Sequence, residues 1–264
     1  MVNKKVSILG CGWLGKPLAV SLLASGHSVK GSTTQEENLK VLVQSGIDPY
    51  LIDLSTVTDA RDFFTCDYLI VSVPPKRKTG DATAFFSQMV KTVDLCRRGE
   101  AGAIIFLSAT SVYQGRTGGV IEEDADPSSL SFRIERLFLE ESSFNTVVIR
   151  FAGLVGPLRH PGRFLSGKTV TGADDPVNLI HQRDCIGIIE QVIKQDVRSG
   201  VYNACSDLHP TREKFYSYAS DLLALAPPVF VEPRTTDARY VISDKLRREL
   251  EYTFVYDDPM SMDF

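Results

Sequence analysis

The residues best suited to chemistry lie at positions 10–15, Gly10-Cys11-Gly12-Trp13-Leu14-Gly15. Three glycines at this spacing follow an apolar run (Val6, Ile8, Leu9) and precede a helical stretch from Leu14 to Ser25. A strand, a glycine turn and a helix N-terminus together make a cradle for a diphosphate, because backbone amides and the helix dipole both favour an anion there. Each glycine meets a different demand. Gly10 permits the tight turn, Gly12 lets the backbone approach the phosphates, and Gly15 lets the helix pack closely on the strand. Trp13 and Leu14 complete the binding loop. The competing use of such a turn is packing alone.

The end of the second strand selects between nicotinamide dinucleotides. An acid about 20 residues beyond the glycines binds the ribose 2′-hydroxyl of NAD. Here the chain reads Gly31-Ser32-Thr33-Thr34-Gln35, without an acid. Ser32, Thr33 and Thr34 can hydrogen-bond a 2′-phosphate, so NADP is preferred to NAD, although no arginine follows and Lys30 and Lys40 are the nearest cations. Glu36 and Glu37 suit a helix N-terminus. Thr34 and Glu37 have the spacing of a capping box.

The elements that must position these residues alternate over the first 150 positions. Strand-like runs appear at Val6–Leu9, His27–Thr33, Tyr50–Ile52, Tyr68–Val73, Ala103–Leu107 and Thr146–Phe151. Helical patterns lie between them at Leu14–Ser25, Glu36–Gln44, Ala82–Arg97 and Ser131–Glu141. This predicts an α/β protein with a doubly wound parallel sheet covered by helices. After Phe151 the rhythm breaks into glycine- and proline-rich loops, a helix at Asp184–Asp196, a strand at Val201–Ala204 and helices at Glu213–Leu225 and Ser243–Glu249. The expected organisation is a nucleotide-binding lobe over 1–152, completed by about 178–206. A smaller C-terminal substrate lobe takes 153–177 and 207–264.

Composition narrows the partners. The 264 residues carry a net charge of -4, which gives no electrostatic case for nucleic acid or a membrane surface. No apolar run approaches the ~18 residues of a membrane span. Lys4-Lys5 and the apolar run behind them resemble a leader peptide, but the glycines and Lys16-Pro17 interrupt it. Five unpatterned cysteines (Cys11, Cys66, Cys96, Cys185, Cys205) match neither a zinc site nor a disulfide framework and suggest a reducing cytoplasm.

Further motifs carry a family resemblance. Leu107-Ser108-Ala109-Thr110-Ser111-Val112-Tyr113 follows the fifth strand, and Arg150-Phe151-Ala152-Gly153-Leu154-Val155-Gly156-Pro157 ends the sixth. Asn178-Leu179-Ile180-His181-Gln182-Arg183-Asp184 and Tyr202-Asn203-Ala204 come later. In this order, with Val73-Pro74-Pro75 and Tyr240–Leu250, the series resembles the atypical, YeeZ-type branch of the extended short-chain dehydrogenase/reductases, the NAD(P)-dependent epimerase/dehydratase family. The resemblance spans almost the whole chain. It implies a Rossmann lobe holding NAD or NADP and a small-molecule substrate, nucleotide sugars being usual in the wider family. It implies that Val73, Pro74 and Pro75 pass near the cofactor, and that Asp53, with Leu54 beside it, meets the adenine. Asp53 serves equally as a turn or cap residue.

The chain departs from the family where the chemistry should be. A Tyr-x-x-x-Lys pair on one helical face normally moves the proton. Phe132 and Arg136 stand at those positions. Phe132 has no hydroxyl, while Arg136 could hold ribose or phosphate as a fixed cation. Ala109 occupies the position of the assisting serine or threonine. Tyr113 is the nearest substitute, against the alternative of a packed aromatic. His160, between Arg159 and Arg163, suits an anionic substrate or a solvated loop. His181 reads as structural and Lys168 as solvent-exposed. Phe132, Leu137, Phe138 and Phe144 form either the seam of a homodimer or ordinary core. Two functions follow as expectations: a divergent NAD(P)-dependent oxidoreductase or epimerase, or a non-catalytic NAD(P)-binding sensor.

Overall fold

The computed structural model describes residues 3–74, 81–235 and 238–264; Pro75, one expected cofactor neighbour, lies outside them. In chain order the elements are β1 (Lys5–Leu9), α1 (Gly15–Ala24), β2 (Ser28–Thr33), α2 (Glu36–Gln44), β3 (Asp48–Leu51), α3 (Arg61–Phe64), β4 (Tyr68–Val71), α4 (Ala82–Gly99) and β5 (Ala103–Ala109). Then come β6 (Gly118–Val120), α5 (Leu130–Leu139), β7 (Asn145–Phe151), β8 (Gly153–Val155), α6 (Gly162–Leu165), β9 (Thr169–Val170) and β10 (Leu179–His181). The rest are α7 (Gln182–Lys194), β11 (Gly200–Ala204), α8 (Arg212–Asp221), β12 (Val229–Phe230), β13 (Arg239–Val241) and α9 (Asp244–Leu250).

Seven strands form one parallel sheet in the order β11-β7-β5-β4-β1-β2-β3. The order reverses at β1, so the chain winds outward in both directions from the glycine turn, as in a Rossmann sheet. Every residue of β4 is buried, as are Val6–Leu9 of β1, because helices cover both faces. Ser7, a polar residue in this apolar run, satisfies its hydroxyl on the Phe63 carbonyl at 2.6 Å.

The chain divides into two compact units: 1–108, 127–149 and 189–201 form the first, and 109–126, 150–188 and 202–264 the second. Residues 109–126 thus fall in the second unit, although the alternating pattern expects the nucleotide-binding lobe to run unbroken to 152. The first unit's core joins Leu9, Phe63, Phe64, Leu69, Ile104 and Phe138. Phe106 and Phe138 stack with centroids 4.7 Å apart, and Phe144 lies in the same core. These two phenylalanines of the candidate seam therefore pack inside the unit. The second unit's core centres on Val155, Leu179, Phe215, Ala219 and Met262. Buried Asp184 gathers its final turns by accepting hydrogen bonds from the Tyr252 hydroxyl (3.0 Å) and the Val255 (2.6 Å) and Tyr256 (3.1 Å) amides.

One local expectation fails. Helix α2 starts at Gln35 without a side-chain cap, so the Thr34–Glu37 box does not form. The hydroxyl one residue earlier competes for the turn: Thr33 Oγ1 accepts from the Gln35 amide at 3.2 Å.

Candidate functional site

The glycine loop separates its three residues by space. Gly10 has φ +100°, and a Cβ there would stand 2.8 Å from the Ser72 carbonyl oxygen. A Cβ on Gly15 would stand 2.2 Å from the Gly10 carbonyl oxygen, which no side chain can meet. Gly12 is the opposite case: it is exposed, and a Cβ on it would meet nothing within 4 Å. Two glycines are thus demanded by the protein's own packing, and one faces open space. Helix α1 begins at Leu14 with no side-chain cap. An uncapped helix N-terminus beside an open backbone attracts an anion.

The second strand supports the loop. The buried Ser32 hydroxyl accepts from the Gly10 amide at 2.9 Å, and the Ser32 carbonyl accepts from the Cys11 amide at 2.8 Å. Ser32 therefore holds the turn from below. Gly31 makes room for Cys11, since a Cβ there would stand 2.6 Å from its Sγ. Burial pushes the Cys11 thiol up to about 12, so it remains protonated. Trp13 and Thr33 are half-buried and Thr34 is exposed. Lys30 is committed to Asp62 at 3.0 Å, which removes it as a phosphate partner. Asp53 accepts from the Ser55 amide (2.8 Å) and hydroxyl (2.6 Å) in a local turn. Leu54 is buried, Val73 is half-buried and Pro74 is exposed.

Helix α5 carries the positions that resemble Tyr-x-x-x-Lys. Phe132 is half-buried. Arg136 is exposed and pairs with Glu140 one turn on, its Nε donating at 2.8 Å. Between them sits a residue that the sequence reading missed. Glu135 is fully buried and accepts from the Ser108 hydroxyl at 2.5 Å. The signal existed in the helical period: Ile134, Glu135 and Phe138 share the buried face of α5, and a carboxylate there needs a partner.

In the second unit, Ala109 is exposed and Tyr113 is completely enclosed. The Tyr113 hydroxyl donates to Asn203 Oδ1 at 2.5 Å and accepts from an Arg150 nitrogen at 2.8 Å. Burial pushes this phenol up to about 12, against the opposing pull of Arg150. The same arginine donates to the Glu122 carbonyl, and the Glu122 carboxylate accepts from the Asn203 amide. Tyr113, Arg150, Glu122 and Asn203 thus share one buried hydrogen-bond network. His160 Nδ1 accepts from the Gly162 amide, and its ring lies 4.7 Å from that of Phe264. His181 Nδ1 accepts from the Arg183 amide, while its buried Nε2 lies 3.4 Å from the Asp263 carboxylate. The exposed Lys168 donates to the Phe164 carbonyl.

A cavity of about 260 Å³ opens in the second unit, lined by Thr110, Asp175, Asn178, Arg212, Tyr216 and Arg239 among others. Arg212 and Tyr216 lie four apart on α8, hence on one face. Arg212 stands 3.7 Å from the buried Asp175 carboxylate. Asn178, also in the lining, donates to the Arg239 carbonyl at 3.0 Å and accepts from the Val241 amide at 2.8 Å. None of these arginine or tyrosine positions carries a motif, so spacing alone could not find them. Among the described residues, no group of three or more His, Cys, Asp or Glu is placed to hold a metal, and no helix is long and apolar enough to cross a membrane. All five cysteines are free.

No protein-family model matches the chain. Protein YeeZ of Escherichia coli (strain K12) is 38% identical over 272 residues, covering 98% of both chains. Among solved structures, ADP-L-glycero-D-manno-heptose-6-epimerase from Helicobacter pylori superposes with TM-score 0.79 at 17% identity, covering 98% of this chain and 93% of that one. UDP-glucuronic acid 4-epimerase from Bacillus cereus, solved in complex with NAD, gives TM-score 0.77 at 17% identity over 97% and 95%. The fold is therefore that of the NAD-dependent epimerase/dehydratase proteins, and the chain belongs to the YeeZ-type branch.

Proposed function

We propose that the first unit binds a nicotinamide dinucleotide and that the chain is a divergent oxidoreductase or epimerase acting on a small molecule. The observation that carries this is the contrast among the three glycines: two are closed by packing and Gly12 is open. Solved structures of the same fold carry NAD, and some are complexes with UDP-glucose or UDP-glucuronic acid. The amides of Gly10, Gly12, Trp13, Leu14 and Gly15 would hold the diphosphate. Asp53 and Leu54 would border the adenine, and Val73 and Pro74 the far side of the loop. Arg136 reaches a ribose or phosphate only by leaving Glu140.

NADP stands ahead of NAD in this proposal. Thr33 ends β2 and Thr34 follows it without a carboxylate, and the exposed Lys40 is the next cation along the chain. Ser32 is spent on Gly10. When bound, the coenzyme supplies hydride transfer at its nicotinamide.

A second reading, a non-catalytic sensor, is favoured by two observations. Phe132 has no proton to move, and the Tyr113 hydroxyl is enclosed between Asn203 and Arg150. The enzyme reading keeps precedence because the second unit offers a pocket with a phenol, Tyr216, beside a guanidinium. A thermal-shift series with NAD, NADH, NADP and NADPH tests the coenzyme. Saturation at 100 times the dissociation constant gives about 2.7 kcal/mol, or roughly 5–10 °C for a chain of this size. No shift with any of the four overturns the proposal, and a larger shift with NAD than with NADP overturns the preference. Following coenzyme absorbance across a substrate panel separates the two readings. Turnover supports the enzyme; a coenzyme-stabilised protein that turns over nothing supports the sensor.

A further inference from the structure

We infer that residues 259–264 form an acid-released strap on the second unit, held by two neutral histidines, His160 and His181, and let go as those rings gain a second proton. The chain is pinned as far as Asp257. Asp184 accepts from the Val255 and Tyr256 amides, and the Ser206 hydroxyl donates to the Tyr256 carbonyl at 2.8 Å. The Leu208 amide donates to the Asp257 carbonyl at 3.0 Å, and Arg247 pairs with the Asp257 carboxylate. Local bonds then build a single turn. The Met260 amide donates to Asp258 Oδ1 at 2.9 Å, and the Ser261 hydroxyl to the Asp258 carbonyl at 2.8 Å. Side chains tie this turn to the unit. Met262 is buried with Val155, Leu179 and Phe215, and Phe264 packs on the same cluster. The Phe264 ring lies 4.7 Å from that of His160, and Asp263 accepts from the Tyr256 hydroxyl at 2.5 Å. A segment held by few contacts opens well below the global unfolding free energy.

Both histidines use the same nitrogen in the same way. His160 Nδ1 accepts from the Gly162 amide, and His181 Nδ1 from the Arg183 amide, each at 3.1 Å. An amide N–H only donates, so each neutral ring carries its proton on Nε2. A second proton must land on Nδ1, where it breaks that bond and sets two donors face to face. His181 is the more constrained ring. It is almost wholly buried, and its centroid lies 4.4 Å from that of Tyr256. Its Nε2 makes no hydrogen bond among the described residues. Release of the strap admits water to the ring, which satisfies that donor and solvates the charged form.

The surrounding groups set the sign. Burial is the largest influence on His181 and lowers its pKa from the ordinary 6.5, and Arg183 acts the same way. The Asp263 carboxylate, 3.4 Å from Nε2, the Asp263 backbone and Asp184 oppose them without prevailing. Gly156, where a Cβ would stand 3.2 Å from Nε2, brings no charge. Burial, then Arg163, lowers the pKa of His160, whose ring neighbour Phe264 is uncharged. A histidine whose folded pKa is depressed stabilises fully above its unfolded value and loses that contribution as pH falls. The strap is therefore held above about pH 6.5 and released progressively below it. The device needs no coenzyme.

Hydrogen exchange of the whole chain, followed by mass spectrometry and corrected for its intrinsic pH dependence, reads this opening directly. Between about pH 7.5 and about pH 5.5, opening of residues 259–264 should rise by up to about tenfold for each histidine. Strand β7 should stay protected at both pH values. His160→Asn and His181→Asn each offer a carbonyl oxygen in place of Nδ1, and the double variant should lose the pH step. Where that protein does not fold, Asp263→Asn, an exposed change, carries the test. It removes a pull that favours the charged His181 ring, so release should become steeper in acid. The inference is overturned if opening is equal at both pH values, if β7 opens in step with the strap, or if the double variant keeps the full step. It is equally overturned if acid tightens the strap, as a His181–Asp263 ion pair alone would, or if Asp263→Asn flattens the response.

Discussion

The Ser108 hydroxyl donates to the Glu135 carboxylate at 2.5 Å, joining the end of β5 to the buried face of α5. Glu135 has no solvent exposure, so its buried oxygens need hydrogen-bond partners such as this one. The pair lies one residue from Arg136 and one from Ala109, positions that resemble the family's chemical groups. In this chain, a buried hydrogen bond stands beside both positions. Ser108→Ala should lower unfolding free energy by about 1–3 kcal/mol, because a buried acceptor loses a donor. Urea denaturation checks this; an unchanged midpoint contradicts it.

Tyr113 should behave as a packing and hydrogen-bonding residue. Tyr113→Phe removes the donor to Asn203 and the acceptor for Arg150. The expected cost is about 1–3 kcal/mol of stability. The NADP-induced thermal shift should be unaltered, and any turnover should keep its pH profile. A stable variant whose pH profile had lost a limb would instead make Tyr113 the acid–base group.

Part of the acid sensitivity should be traceable to a surface ion pair of the first unit. Arg97 donates to Glu141 at 2.6 Å and holds its carboxyl down at about 2, from an ordinary 4.5. A carboxylate whose folded pKa is depressed stabilises fully above its unfolded value. This contribution is present above pH 4.5 and is lost as pH falls toward about 2. Arg97→Gln should flatten that part of the stability curve and leave the curve above pH 5 parallel to wild type. Equal acid slopes in both proteins contradict the assignment.

The fold was legible where local backbone demands and burial agree. The glycine turn declared itself because Gly10 and Gly15 answer steric needs that no other residue meets. The alternating strands and helices showed through because buried parallel strands are continuously apolar. The short ladders β6–β13, β8–β10 and β9–β12 were not legible. Strands of two or three residues have no period to detect, and their partners lie far apart in sequence. Side-chain direction was harder still. Ser32 counts as a phosphate ligand by position, yet its hydroxyl turns beneath the loop to Gly10. Arg212 and Tyr216 share a face of α8 by spacing, but Arg239 joins them only through the tertiary fold, so their cavity has no sequence signature.

The central claim is that the opening loop receives a diphosphate at Gly12. The direct test is NADPH titration by calorimetry of wild type, Gly12→Asp and Gly15→Ala, with a denaturation curve for each. A Cβ at Gly12 meets no protein atom within 4 Å, so Gly12→Asp should fold as wild type while losing binding by at least a hundredfold. Gly15→Ala places a methyl 2.2 Å from the Gly10 carbonyl oxygen and should lose both stability and binding. Undiminished NADPH binding by a well-folded Gly12→Asp protein, or no binding by wild type, would contradict the account.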